Sequence, residues 1–397
     1  MKTFLIVLAL LPITASAEDR VLAALQDKVL AEQANRLTTD DRIAFYGSLV
    51  DARPETLQYP VLLAGAYIQK MRETMDFDYL NRAEKVLRRV LESDSSNYEA
   101  LRLGTVIQLE RHNFAKVVEL SRRLTDIAPM DPWNWGTLGD AYIELGDYDE
   151  AAGAYERMMR LRPDLASYNR AAHYRFLHND MKGAIQTMRL AISAGSGSPE
   201  NVAWCWVELA AYYAKTGQND EAERAYKSAL RTFSNYHPAY AGLGKVQAAK
   251  GETAEAIENL RRAQSITPLP DYAATLYDLY LAAGQNEEAV KQKQLIEVID
   301  RLGRANGEKA NRNLALIYAD HDWNLARSLD LAPAELDYRR DVYTYDALAW
   351  ALYKNGRYAE AAKAMDRALQ LNTPEPGFKR HAQLIQEANQ PATPGKG

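Results

Sequence analysis

The chain has 397 residues, of which 47% are hydrophobic and 25% charged, with a formal net charge of −5. That composition excludes global disorder, and the slight acidic excess gives no reason to expect nucleic acid or an anionic membrane as a general partner. The length predicts two or three globular domains or one elongated repeat array.

The first element is a leader. MKTFLIVLALLPITASA places Lys2 before an apolar run from Phe4 to Leu11 and then Ala15-Ser16-Ala17, the layout of a signal peptide over residues 1–17 with cleavage before Glu18. The run is far short of the roughly 20 residues that span a bilayer, and no Cys follows it to carry a lipid. The sequence therefore predicts an exported chain with no membrane span in its mature form. It belongs in the periplasm or the medium, and the short cleavable leader favours the periplasm. Residues 18–59 hold two amphipathic segments, VLAALQDKVLAEQ and DDRIAFYGSLV, which read as a helical cap or a degenerate repeat.

From residue 60 a period takes over. A small residue after each turn recurs at Ala83, Val117, Ala151, Ala184, Ala222, Ala256, Ala289, Ala326 and Ala361, at spacings of 34, 34, 33, 38, 34, 33, 37 and 35. A period near 34 indicates a repeat architecture. In the unit that begins at Pro132, Trp135, Leu138, Gly139 and Tyr142 share one helix face. Gly146 ends that helix through the left-handed conformation, and Asp147 stands where short polar side chains satisfy free amides. Ala151, Tyr155 and Met158 face back from a second helix, which Pro163 stops. A single pair has too little core to fold alone, so neighbouring pairs must stack.

These landmarks resemble the tetratricopeptide repeat (TPR). They recur as Trp206, Leu209, Ala210, Tyr213, Gly217, Ala222, Tyr226 and Ala229, then as Tyr240, Leu243, Gly244, Gly251, Ala256, Leu260, Ala263 and Pro268. They return as Tyr345, Leu348, Ala349, Leu352, Gly356, Ala361, Met365 and Ala368. Other units are worn: Arg175, Lys293 and Ile296 depart from the pattern, and the unit near Ala326 has indistinct limits. AGSGSPEN supplies the 38-residue spacing, and LGRANGEKANR, after a second helix that runs on past Ile299, supplies the 37. The resemblance implies an all-α, right-handed TPR superhelix, an α-solenoid of about nine helix pairs over residues 60–375. Residues 376–390 read as a C-terminal capping helix and 391–397 as a disordered tail.

Signs of chemistry are sparse. The six histidines, at 112, 173, 178, 237, 321 and 381, form no i, i+4 pair with a Glu that would make a helical zinc site. AGLGKV lacks the first Gly of a phosphate loop and has Val246 in place of its Ser or Thr, and GSGS follows a helix rather than a strand. No nucleophile elbow is present, so no enzyme activity, metal or cofactor is expected. Cys205, the single cysteine, lies in VAWCWVELAAYY as a small core residue and has no partner for an intrachain disulfide. Basic pairs at Arg88-Arg89, Arg122-Arg123 and Arg261-Arg262 read as a solvated outer face in preference to a stripe for an acidic polymer.

In TPR stacks the first helices line an inner, concave groove where peptides or proteins bind. The register carries Arg102, Asp140, Asn169, His173, Phe176, Val207, Lys245, Asp278, Trp350 and Tyr353 to that face. Asn169, His173 and Phe176 form one mixed patch, and Trp350 with Tyr353 a second. Trp350 could equally pack on a neighbouring helix pair. The Lys and Asn arrangement of carboxylate-clamp TPRs is missing. The partner-binding set is Arg102, Asn169, His173, Phe176, Lys245, Trp350 and Tyr353, and the implied function is a non-enzymatic exported scaffold for a protein or peptide. The alternatives are a small-ligand or metal-binding protein or enzyme that uses the groove, and a self-assembling structural subunit.

Overall fold

The computed structural model describes residues 37–74, 76–305 and 308–389. The signal peptide, the segment VLAALQDKVLAEQ and the 391–397 tail lie outside these residues. The described residues form helices and no strand, and divide into two compact units, up to Glu110 and from Arg111 onward.

The first unit holds α1 (Thr39–Ala52), α2 (Gln58–Thr74), α3 (Asp78–Ser93) and α4 (Tyr98–Glu110). The side chain of Thr38 caps α1 by accepting the Asp41 amide. Ala64, Ile68 and Met71 on α2 meet Leu80, Ala83 and Leu87 on α3, with Ala100 and Ile107 of α4 in the same core.

The second unit runs through α5 (Phe114–Ile127), α6 (Pro132–Leu145), α7 (Tyr148–Leu161), α8 (Leu165–Leu177), α9 (Met181–Ala194), α10 (Pro199–Lys215), α11 (Asn219–Thr232), α12 (His237–Ala249), α13 (Thr253–Ile266) and α14 (Pro270–Ala282). It continues with α15 (Asn286–Ala305), α16 (Arg312–Asp320), α17 (Leu325–Ala334), a 3₁₀ turn (Glu335–Asp337), α18 (Val342–Lys354), α19 (Tyr358–Ala368) and α20 (Pro376–Asn389). In the first unit α2 pairs with α3, and in the second unit the described residues make seven two-helix repeats from α6 with α7 to α18 with α19, followed by α20.

The repeat landmarks explain the packing. Gly139 lets α6 lie against the Tyr155 ring of α7: a Cβ there would stand 2.4 Å from the ring edge. Gly242 on α12 does the same for Tyr226 of α11, at 2.2 Å. Gly146 takes φ +77°, closing α6 with its amide on the Ile143 carbonyl. The basic pairs have a packing role in this arrangement. Arg122 donates to the Tyr142 hydroxyl at 2.9 Å, and Arg262 lies 5.9 Å from the centre of the Tyr240 ring. Arg189 over Tyr213 and Arg367 over Tyr345 repeat the theme.

Candidate partner-binding face

The first helices of the second unit do not present an uninterrupted open groove, because the end of the chain returns to its middle. The segment that leads into α18 docks on the turn between α6 and α7. Arg339 pairs with Glu144 at 3.0 Å and lies over the Phe114 ring at 5.3 Å. The Arg340 amide donates to the Glu144 carbonyl at 2.8 Å, and the Val342 amide donates to the Tyr148 hydroxyl at 3.0 Å. Both are backbone donors that find partners far away in sequence. Gly146 carries a second constraint here, since a Cβ on it would stand 2.6 Å from the Arg340 carbonyl oxygen.

A second contact closes the next two repeats. The Thr373 hydroxyl donates to the Leu177 carbonyl at 2.7 Å, at the end of α8, and Lys215, at the end of α10, pairs with Glu375 at 2.7 Å. Arg312 supports the returning segment from behind through Asp341 at 2.7 Å. Phe176 and Tyr212 therefore share one hydrophobic core with Val342 and Phe378.

This return changes the place of several predicted site residues. Phe176 is not exposed on a groove. It is 2% exposed, stacked on Tyr212 with centroids 5.1 Å apart and covered by the Lys215 ammonium at 5.8 Å. His173 sits beside it with its ring 6.4 Å away, and burial pulls its pKa below the ordinary value, so its ring is neutral at neutral pH. Asn169 is half-buried, and burial pushes the Cys205 thiol up to about 12. Asp140 is held by a bidentate Arg170, at 2.8 and 2.7 Å, and by the Tyr155 hydroxyl at 2.9 Å. Neither partner of that pair is free for a ligand.

Trp350 is likewise a packing residue. It is 4% exposed, its indole N–H donates to Asp320 at 3.0 Å, and its ring stacks on His381 of α20 at 4.1 Å. Tyr353 is half-buried on the other side, 5.0 Å from Trp350, and meets Tyr358 at 5.6 Å. The buried pair His381–Asp346, at 2.8 Å, fixes α20 on α18. The inner side of the last repeat is thus covered by α20.

Three predicted positions keep accessible surface. Arg102 is half-buried on α4 of the first unit. Lys245 on α12 is exposed, and Asp278 on α14 is exposed while accepting from His321 at 3.1 Å. Val207 is half-buried against the core.

One group that the sequence did not single out is Glu208, on α10. Glu208 is half-buried, and burial of its carboxyl pushes its pKa up to about 7. Lys215 pulls the value down, while Glu375 from the returning segment adds to the rise. Among the described residues no group of three or more His, Cys, Asp or Glu side chains is placed to hold a metal ion. No described helix is long and apolar enough to cross a membrane.

Tetratricopeptide-repeat models match residues 137–199, 207–272 and 342–373. The chain carries these repeats, and its fold is the all-α array of stacked helix pairs that they build. Protein bimA of Emericella nidulans is 23% identical over 50% of this chain and 23% of its own length. Superkiller complex protein 3 of Homo sapiens is 24% identical over 71% of this chain and 18% of its own. The chain thus spans about a fifth of the length of these curated relatives. Among solved structures, the Cut9–Hcn1 hetero-tetramer of the APC/C is similar with 18% identity, covering 90% of this chain and 68% of that one at a TM-score of 0.48. PilW, described as a widely conserved type IV pilus biogenesis factor, has 15% identity, covering 52% and 93% at a TM-score of 0.45.

Proposed function

We propose that this protein is an exported, non-enzymatic scaffold that docks a protein or peptide on the inner positions of α12 and α14. The observation that carries the reading is the contrast along one row of first helices. The inner positions of α8 and α18 are taken by the chain's own packing, whereas Lys245 and Asp278 stay exposed. Tetratricopeptide arrays present such rows as preformed surfaces, so a partner loses little to scaffold ordering when it binds. Export rests on the leader, with Lys2, the Phe4–Leu11 run and Ala15-Ser16-Ala17.

The test compares capture by the wild-type chain with capture by a Lys245→Glu/Asp278→Lys variant, which leaves net charge unchanged and lies outside the core. A partner that the wild type retains and the variant loses, and that binds the purified wild type in the same way, supports the scaffold reading. Equal retention by both, or none by either, contradicts it. For export, the mature chain should begin at Glu18; a chain isolated with Met1 intact would overturn that part.

A further inference from the structure

A cleft that the repeat architecture does not require lies between the C-terminal turns of α15 and the turn that joins α16 to α17. α15 is 20 residues long, against 14 in α11 and α13, so Arg301 and Arg304 project past the usual end of a second helix. The facing turn is unusual in its backbone. Asp322 and Asn324 both take positive φ, +53° and +31°, a conformation that non-glycine residues adopt at a cost. Between them Trp323 is held edge-on to Tyr277 at 4.6 Å and stacked on His321 at 4.3 Å. Lys293 stands 4.9 Å above its ring. Trp323 and Lys293, with Arg301, Arg304 and Tyr318, line a half-open cavity of about 390 Å³.

The cleft is lined by three basic and three acidic side chains, but two of the carboxylates are taken up by basic groups outside the lining. Asp300 is already committed to Arg327 at 3.1 Å, Arg304 at 3.4 Å and Tyr318 at 3.2 Å. Asp322 is committed to Lys354 at 2.6 Å. Among the described residues Lys293, Arg301, the Trp323 indole N–H and the Asn324 amide have no acceptor, and Glu297 is the one lining carboxylate left to face them. A half-enclosed aromatic floor ringed by unpaired donors attracts an anion, and guanidinium groups fit a carboxylate in two-point fashion. The volume exceeds what one small anion fills and lies within the range of sites that take larger ligands. His321 connects the cleft to Asp278, on the row of open inner positions.

We propose that this cleft holds carboxylate side chains of an acidic peptide segment, gripped by Lys293 and Arg301 over the Trp323 ring. The inference rests on the scaffold reading and names the chemistry of the partner.

The test titrates the full chain against a fluorescein-labelled hexaglutamate peptide, amidated at its C-terminus, at low salt, where charge pairing is least screened. Anisotropy reports binding. Saturable binding is expected, weakened about tenfold or more by Lys293→Glu/Arg301→Glu. An equal charge reversal on α11, Arg224→Glu/Arg231→Glu, should leave it unchanged. A change in tryptophan emission on binding should vanish in Trp323→Phe. Absence of saturable binding, equal weakening by the two charge reversals, or competition by inorganic phosphate at concentrations equal to the peptide would each overturn the proposal. If Lys293→Glu/Arg301→Glu still retains the partner captured through Lys245 and Asp278, the cleft is wrong and the scaffold reading stands. Failure of the wild type to retain any partner sinks the scaffold reading, whatever the hexaglutamate result.

Discussion

Replacing Gly146 by Ala separates the return of the chain from ordinary helix capping. Gly146 has φ +77° and Gly217, which ends α10 in the same way, has φ +75°. Each substitution forces a Cβ into the left-handed region at a cost of about 1 kcal/mol. There the likeness ends, because a Cβ at Gly217 meets nothing within 4 Å while one at Gly146 stands 2.6 Å from the Arg340 carbonyl oxygen. That oxygen is backbone and cannot swing aside, so the segment before α18 must shift. The shift strains two hydrogen bonds, Arg340 to Glu144 at 2.8 Å and Val342 to Tyr148 at 3.0 Å. At about 1 kcal/mol each, their loss adds about 2 kcal/mol to Gly146→Ala alone. Urea unfolding of the two variants side by side measures the difference, and limited proteolysis should cut Gly146→Ala first within residues 335–342. Equal destabilisation of the two variants, with no new cleavage, would refute the docking of this segment on the α6–α7 turn.

Further outcomes follow from single residues. Glu208 has a folded pKa of about 7 against an ordinary 4.5, so the folded protein binds its proton more tightly and loses stability as pH rises through that window. Glu208→Gln should therefore gain up to about 3 kcal/mol over wild type by pH 8, a gain that fades to nothing near pH 4.5. A difference that is flat with pH would show that the carboxyl is not buried. Gly153→Ala on α7, where a Cβ meets nothing within 4 Å, should stabilise by about 0.5–1 kcal/mol. Gly139→Ala should instead destabilise, since its Cβ would press on Tyr155 at 2.4 Å; thermal melts of the pair check the opposite signs. Cys205, buried and with its thiol pushed up to about 12, should resist a thiol reagent at pH 8 until the chain is unfolded.

The repeat architecture was legible in the sequence because its landmarks are local. Gly139 opposite Tyr155 and Gly244 opposite Leu260 are each 16 residues apart, and the spacing alone says that they meet. The long α15 was also readable, as a second helix that runs past Ile299. The return of the chain was not. It joins residues such as Thr373 and Leu177, 196 apart, through one hydroxyl, one ion pair and backbone amides that carry no distinctive pattern. Phe176 and Trp350 occupy groove positions in their own repeats, so register placed them on an open face. Phe176 is covered by Tyr212 and Lys215 next to the returning segment, and Trp350 by His381 of the last helix. The Arg122 and Arg262 pairs illustrate the same limit: their position in the helix was readable, but the aromatic rings that they cover come from tertiary packing.

The return of the chain decides which inner positions stay open, and amide hydrogen exchange at Arg340 and Val342 tests it most directly. Both residues lie in or beside the connection into α18, where free loop amides would exchange fast. Slow exchange at both, with that of Val342 accelerated by Tyr148→Phe, is the predicted result. Exchange at the rate of an unprotected loop would contradict the closure and return Asn169, His173 and Phe176 to the candidate binding face.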